Sequence, residues 1–97
     1  MKIVVVGLGY VGLPLARLFS TKYKTLGFDI NQKRVEALNR GEDDTLEVSN
    51  EILSEAIAKF GFRCTSSLDE VRGFAAHGDT GGGFEESTVF IVTVPTP

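Results

Sequence analysis

Lys2-Ile3-Val4-Val5-Val6-Gly7-Leu8-Gly9-Tyr10-Val11-Gly12 opens the chain with a β-branched run followed directly by three glycines spaced G-x-G-x-x-G. Such an unbroken apolar run, Ile3 to Val6, predicts a strand buried on both faces of a parallel sheet. A helix is expected to follow from about Tyr10 to Ser20, with Val11, Leu15, Leu18 and Phe19 on one face. Pro14 falls near its first turn, where a missing N–H costs least. A second strand, Lys24 to Phe28, ends on Asp29, 20 residues beyond Gly9. Strand, glycines, helix and acid in this order read as a dinucleotide-binding βαβ unit. Gly7 permits the tight turn, Gly9 lets a pyrophosphate approach bare backbone, and Gly12 lets the helix pack against the sheet. The helix N-terminus turns its unpaired N–H groups and positive dipole end toward the phosphates. Asp29 accepts hydrogen bonds from ribose hydroxyls and would repel a 2′-phosphate, which favours NAD over NADP as cofactor. Lys33 and Arg34 lie close enough to soften that preference, because a cation partly neutralises a phosphate.

Working outward, Asn31 is placed to cap a helix reaching about Arg40, with Val35 and Leu38 inward and Gly41 as its left-handed stop. Gly41 to Glu47 carries four acids and reads as a solvated connection. Ser49 caps the next helix, in which Ile52, Leu53, Ala56, Ile57 and Phe60 recur at helical spacing before Gly61. Phe62 to Thr65 makes a short third strand. Ser67-Leu68-Asp69-Glu70 is a capping box opening a short helical turn to about Arg72. Gly73 to Ser87, with almost nothing to bury, reads as a mobile surface loop. Thr88 to Val94 is a fourth apolar strand.

Right-handed crossovers between these elements predict an α/β fold of Rossmann type, a parallel sheet of about four strands in the order 3-2-1-4. Strands one and four then flank a crevice lined by Gly7 to Gly12 on one side and Thr93 to Pro97 on the other. A complete fold of this type has six strands and needs on the order of 150 residues, so the 97 residues are expected to form one partial domain, truncated before its second half. Any substrate domain would lie beyond Pro97. The fourth strand would then be an apolar edge, which predicts self-association or poor solubility.

A net charge of −3 argues against nucleic acid as a partner. One cysteine and one histidine exclude a Cys/His zinc cluster, and the single cysteine suits a reducing cytoplasm. Met1-Lys2 and the uncharged run from Ile3 to Ala16 resemble a secretory signal. The run is broken by three glycines and Pro14, lacks a small-x-small cleavage site, and is too short to span a bilayer. Cys64, inside a short apolar strand, reads as a small buried hydrophobe. His77 has no partner in a fixed element. Gly81 to Gly83 lacks the GK[ST] ending of a phosphate loop and leads into Glu85 and Glu86.

With G-L-G-Y-V-G-L-P-L-A at residues 7 to 16, D-T-L-E-V at 44 to 48, G-F-D-I-N at 27 to 31 and V-P-T-P at 94 to 97, the chain resembles the N-terminal NAD-binding domain of the UDP-glucose/GDP-mannose dehydrogenase family. The Val-Pro-Thr-Pro ending is most similar to the branch that oxidises UDP-N-acetylhexosamines to uronic acids for surface polysaccharides. That resemblance implies a two-step, four-electron oxidation of a sugar C6 alcohol, using two NAD molecules and a cysteine that carries a thioester. It implies that Gly7, Gly9, Tyr10, Val11 and Gly12 hold the pyrophosphate, Asp29 the adenine ribose, and Arg34 lies beside the adenosine end. Val94, Pro95 and Thr96 would border the nicotinamide. The family's catalytic residues and sugar-binding domain fall later in its chain, so no catalytic residue maps here, Cys64 included. The UDP-sugar would be bound by the absent domain, and the parent enzyme is expected to be a homodimer. The connection from Val71 to Thr88 is longer than the family's usual one. Two other readings compete: an NAD(H)-sensing regulatory module of a channel or transporter, which shares the glycines and the acid, and an isolated fragment without activity.

Overall fold

The computed structural model describes residues 1–76 and 87–93. Its elements are β1 (Lys2–Val6), α1 (Gly12–Ser20), β2 (Lys24–Phe28), α2 (Gln32–Asn39), α3 (Asn50–Phe60), β3 (Arg63–Thr65), α4 (Leu68–Ala76) and β4 (Thr88–Val92). All four strands are parallel and lie in the expected order, β3-β2-β1-β4. In register, Val5 of β1 stands between Gly27 of β2 and Ile91 of β4.

Alternation along β1 divides the core in two, as period-two side chains in a sheet covered on both faces require. Ile3 and Val5 pack with Leu13 and Ala16 of α1, Val35 and Leu38 of α2, and Leu53 and Ala56 of α3. Val4, with Val6 beside it, faces the other way onto Leu26, Phe28 and Val71, with Phe74 of α4 closing that smaller cluster. The caps fall where expected. The Asn31 side chain accepts the Arg34 N–H at 3.1 Å, and the Ser49 hydroxyl accepts the Ile52 N–H at 3.2 Å. Beyond α2 the Gly41 N–H reaches the Leu38 carbonyl and the Glu42 N–H the Ala37 carbonyl, a left-handed cap that closes the helix.

Three expectations are corrected. First, α1 begins at Gly12 rather than Tyr10, and it turns Gly12, Leu13, Ala16 and Ser20 inward. Val11 and Leu18 are exposed, and Leu15 and Phe19 are only half-buried. Three of the four inward residues are small, Leu13 being the one large side chain among them, and Phe19 packs at the margin of the first cluster. Second, the acidic connection from Gly41 to Glu47 is not uniformly solvated, because Asp43 is buried. Third, α4 runs a full turn beyond Arg72. Val71 and Phe74 recur three residues apart against the second cluster, and the Lys2 ammonium donates to the Phe74 carbonyl at 2.7 Å while lying 5.4 Å from the ring centre. Gly73 to Ala76 are therefore helical rather than loop. Of the loop expected from Gly73 to Ser87, residues 77–86, with His77 and the triple glycine, lie outside the described residues.

The two edges of the sheet differ. On the β3 side, the Asn39 amide donates to the Cys64 carbonyl and accepts the Cys64 N–H, each at 2.9 Å, which occupies the outward backbone groups at the strand's centre. On the β4 side, Phe90 and Val92 are 52% and 67% exposed. Among the described residues no helix is long and apolar enough to cross a membrane, and no three His, Cys, Asp or Glu side chains gather as a metal site.

Candidate functional site

The turn from Gly7 to Val11 lies at the C-terminal end of the sheet, tied to its neighbours on both sides. Gly7 has φ +96°, a conformation that disfavours any side chain, and its N–H donates to the Phe28 carbonyl at 2.8 Å. A Cβ on Gly7 would stand 2.5 Å from the Thr93 carbonyl oxygen. A Cβ on Gly12 would strike the Gly7 carbonyl and stand 2.8 Å from Thr93 Oγ1. What Gly12 permits most directly is closure of the turn on itself and on the exit of β4. Thr93 completes that closure: its N–H donates to the Val6 carbonyl at 2.8 Å and its hydroxyl to the Gly7 carbonyl at 2.9 Å.

Gly9 is different. Nothing lies within 4 Å of where its Cβ would be, so no protein atom demands a glycine there. Tyr10 and Val11 beside it are exposed. No side chain caps the start of α1, and its first turn holds no acid. Bare backbone, an open approach and an uncapped helix start suit a group bearing phosphates.

Leu8, between the two glycines, is buried and held by both of its backbone polar groups. Its N–H donates to Asp29 Oδ2 at 2.9 Å, while Oδ1 of the same carboxylate accepts the Asn31 N–H at 2.9 Å. Its carbonyl accepts from Arg34 Nε at 2.9 Å and Nη2 at 2.7 Å. Room for the Leu8 side chain comes from Gly27, where a Cβ would stand 2.9 Å from Leu8 Cδ2. Each Asp29 oxygen keeps acceptor capacity beyond its one backbone bond, so hydroxyl donors can still be received.

Arg34 reaches back from α2 with its side chain only 8% exposed. Its Nη1 donates to Asp43 Oδ1 at 2.8 Å and also meets Asp44 Oδ1. The Asp43 carboxylate is fully buried and accepts the Thr45 hydroxyl at 2.6 Å, the Thr45 N–H at 3.0 Å and the Val48 N–H at 2.9 Å. Burial pushes the Asp43 carboxyl up. The bonds from the Thr45 hydroxyl, the Val48 N–H, Arg34 and the Thr45 N–H outweigh that and hold it at about 2. Burial pushes the Cys64 thiol to about 12, against a smaller opposing effect of Arg34, so this side chain is an inert part of the core.

The structure thus gathers Gly7, Gly9, Tyr10, Val11, Gly12, Asp29 and Arg34 around Leu8, with Thr93 behind them. Val94, Pro95 and Thr96 lie outside the described residues. Sequence reasoning missed Asp43, the hydroxyl of Thr93 and the room left by Gly27. Asp43 is one acid among four, and its burial and its bonds to Thr45 and Val48 in the fold mark it out.

The NAD-binding-domain model of the UDP-glucose/GDP-mannose dehydrogenase family matches residues 1–97. The chain is 45% identical over 97 residues to a UDP-N-acetyl-D-glucosamine 6-dehydrogenase of Pseudomonas aeruginosa, matching all of this chain and 19% of that protein. It is 36% identical over 97 residues to a UDP-N-acetyl-D-mannosamine dehydrogenase of Campylobacter jejuni, matching 99% of this chain and 20% of that one. A solved UDP-D-ManNAc dehydrogenase from Pyrococcus horikoshii superposes with a TM-score of 0.77 at 28% identity, over 100% of this chain and 21% of that structure. The chain therefore spans about a fifth of the length of the relatives it matches. These matches bear out the family and branch resemblance and lend nothing to a sensing module. Its sheet order, its glycine turn and its whole-length match agree: the chain belongs to the UDP-glucose/GDP-mannose dehydrogenase family and carries that family's NAD-binding domain.

Proposed function

We propose that residues 1–97 are the N-terminal NAD-binding portion of a nucleotide-sugar 6-dehydrogenase that oxidises the C6 alcohol of a UDP-N-acetylhexosamine to a uronic acid for polysaccharide biosynthesis. The observation that carries this reading is the double grip on Leu8, which sets the Asp29 carboxylate against the turn that contains the open backbone of Gly9. In this assignment Gly7, Gly9, Tyr10, Val11 and Gly12 receive the pyrophosphate, Asp29 the hydroxyls of the adenine ribose, and Val94, Pro95 and Thr96 border the nicotinamide. Arg34 acts from below, by fixing the Leu8 carbonyl. NAD, when bound, accepts the hydride removed from the substrate. This stretch supplies binding and orientation, and no catalytic residue is assigned to it.

The sugar-binding and catalytic groups belong to a further part of the protein, in the cytoplasm, and the whole enzyme acts as a homodimer. The 97-residue chain pairs with itself through β4, whose Phe90 and Val92 are open. Calorimetric titration of the chain with NAD and NADP tests the cofactor reading, and tighter binding of NADP would defeat it. NADH release from UDP-N-acetylglucosamine or UDP-N-acetylmannosamine by the full-length gene product tests the reaction. Oxidation of either by the 97-residue chain alone would contradict the assignment of catalysis elsewhere.

A further inference from the structure

The peptide joining Gly7 to Leu8 is held at both ends by side chains that come from opposite sides of β1, Thr93 following β4 and Asp29 following β2. Its carbonyl accepts the Thr93 hydroxyl at 2.9 Å, and its N–H donates to Asp29 Oδ2 at 2.9 Å. In a planar trans peptide these two groups point in opposite directions, so whatever turns the carbonyl also turns the N–H. Gly7 has no Cβ and sits at φ +96°, which leaves the plane little local resistance to rotation. The Thr93 side chain is itself aimed. Its N–H donates to the Val6 carbonyl at 2.8 Å, and its Oγ1 lies 3.2 Å from the same carbonyl. That oxygen fills a notch where a Cβ on Gly7 would stand 2.6 Å away and one on Gly12 2.8 Å away. Two of the three signature glycines thus leave space for one hydroxyl.

We infer that Thr93 is a positioning residue for the dinucleotide: its hydroxyl sets the plane of the Gly7–Leu8 peptide, and that plane presents the Leu8 N–H which steadies the Asp29 carboxylate for the ribose. Asp29 Oδ1 is held by the Asn31 N–H at 2.9 Å. Loss of the Leu8 bond would therefore leave the carboxylate tethered through one oxygen among the described residues. Thr93 acts through the peptide, and it ties the strand exit on one side of β1 to the acid on the other. The inference rests on the cofactor reading above and adds a link that the glycine spacing does not contain.

Thr93→Ser and Thr93→Ala both lose the methyl group and differ only in the hydroxyl. Their test on the 97-residue chain has two readouts: hydrogen exchange of the Leu8 N–H without ligand, measured against that of the buried Val5, and the Kd for NAD by calorimetry. In Thr93→Ala, Leu8 exchange should quicken about five- to tenfold relative to Val5, and Kd should rise by a similar factor, the range of one lost hydrogen bond. In Thr93→Ser both should stay within about twofold of the unaltered chain. A merely structural role lowers the urea midpoint of Thr93→Ala and moves neither readout in the folded variant. An unmoved value of either one there, or equal losses in the serine and alanine variants, would overturn the inference. Should Thr93→Ala fail to fold, Thr93→Val, which removes the hydroxyl and keeps the methyl, replaces it with the same outcomes. Should the unaltered chain bind no NAD, the cofactor reading falls while Leu8 exchange still decides the link from Thr93 to Asp29, which separates the two failures.

Discussion

Exchanging Gly7 and Gly9 for alanine, one at a time, separates what the turn needs in order to fold from what it needs in order to bind. At Gly7 an alanine must adopt φ near +96° and place its methyl 2.5 Å from the Thr93 carbonyl oxygen and 2.6 Å from Thr93 Oγ1. The left-handed backbone alone costs roughly 1–2 kcal/mol. Thr93 cannot step back freely, because its N–H is bound to Val6 and its hydroxyl to Gly7. Adding the displaced contacts, Gly7→Ala should cost about 2–4 kcal/mol. At Gly9 there is no neighbour within 4 Å and no positive φ, so alanine should leave stability within about 0.5 kcal/mol or raise it slightly by restricting the unfolded chain. Its methyl would occupy the approach assigned to the pyrophosphate and weaken NAD about tenfold or more, roughly 1.4 kcal/mol. Urea denaturation gives the first quantity and calorimetric NAD titration the second. Near-normal stability of Gly7→Ala would refute the steric argument, and unchanged NAD affinity of Gly9→Ala would refute the placement of the diphosphate.

Asp43 makes stability fall in acid. Its carboxyl titrates at about 2 in the fold against 3.8 ordinarily, so about 2 kcal/mol present above pH 4 should be lost as the pH drops toward 2, and Asp43→Asn should lack that component in denaturation curves taken between those values. Asn31→Ala removes the cap on α2 and should lower stability by about 1 kcal/mol in a thermal melt, because the Arg34 N–H loses its acceptor. Cys64 should resist a thiol-labelling reagent at neutral pH in the folded chain and react fully in denaturant. Rapid labelling of the native protein would contradict its burial.

Local signals carried most of the fold. The β-branched run of β1, Asn31 and Ser49 as caps, Gly41 and Gly61 as stops, and the strand order all depend on near neighbours in the chain or on crossover handedness, and all were legible. What escaped depended on distant partners. Along α1 both sides are apolar, and hydropathy could not show that Gly12, Ala16 and Ser20, being small, would be the residues pressed to the sheet. Four acids after Gly41 look alike until the fold buries Asp43 and brings Arg34 onto it and Asp44. The last turn of α4 was hidden because Gly73 reads as a breaker, while Phe74 finds its reason to be helical only against Val4 and Leu26. The glycines and Asp29 were legible as a nucleotide site because their spacing is itself the signal. Arg34 was legible as a neighbour of that site, but not as its underpinning.

Asn39 stoppers one flank of the sheet. A strand arriving beside β3 finds the central hydrogen-bonding groups satisfied by an amide. An added strand would have to break both bonds of that amide before it could extend the sheet on this flank.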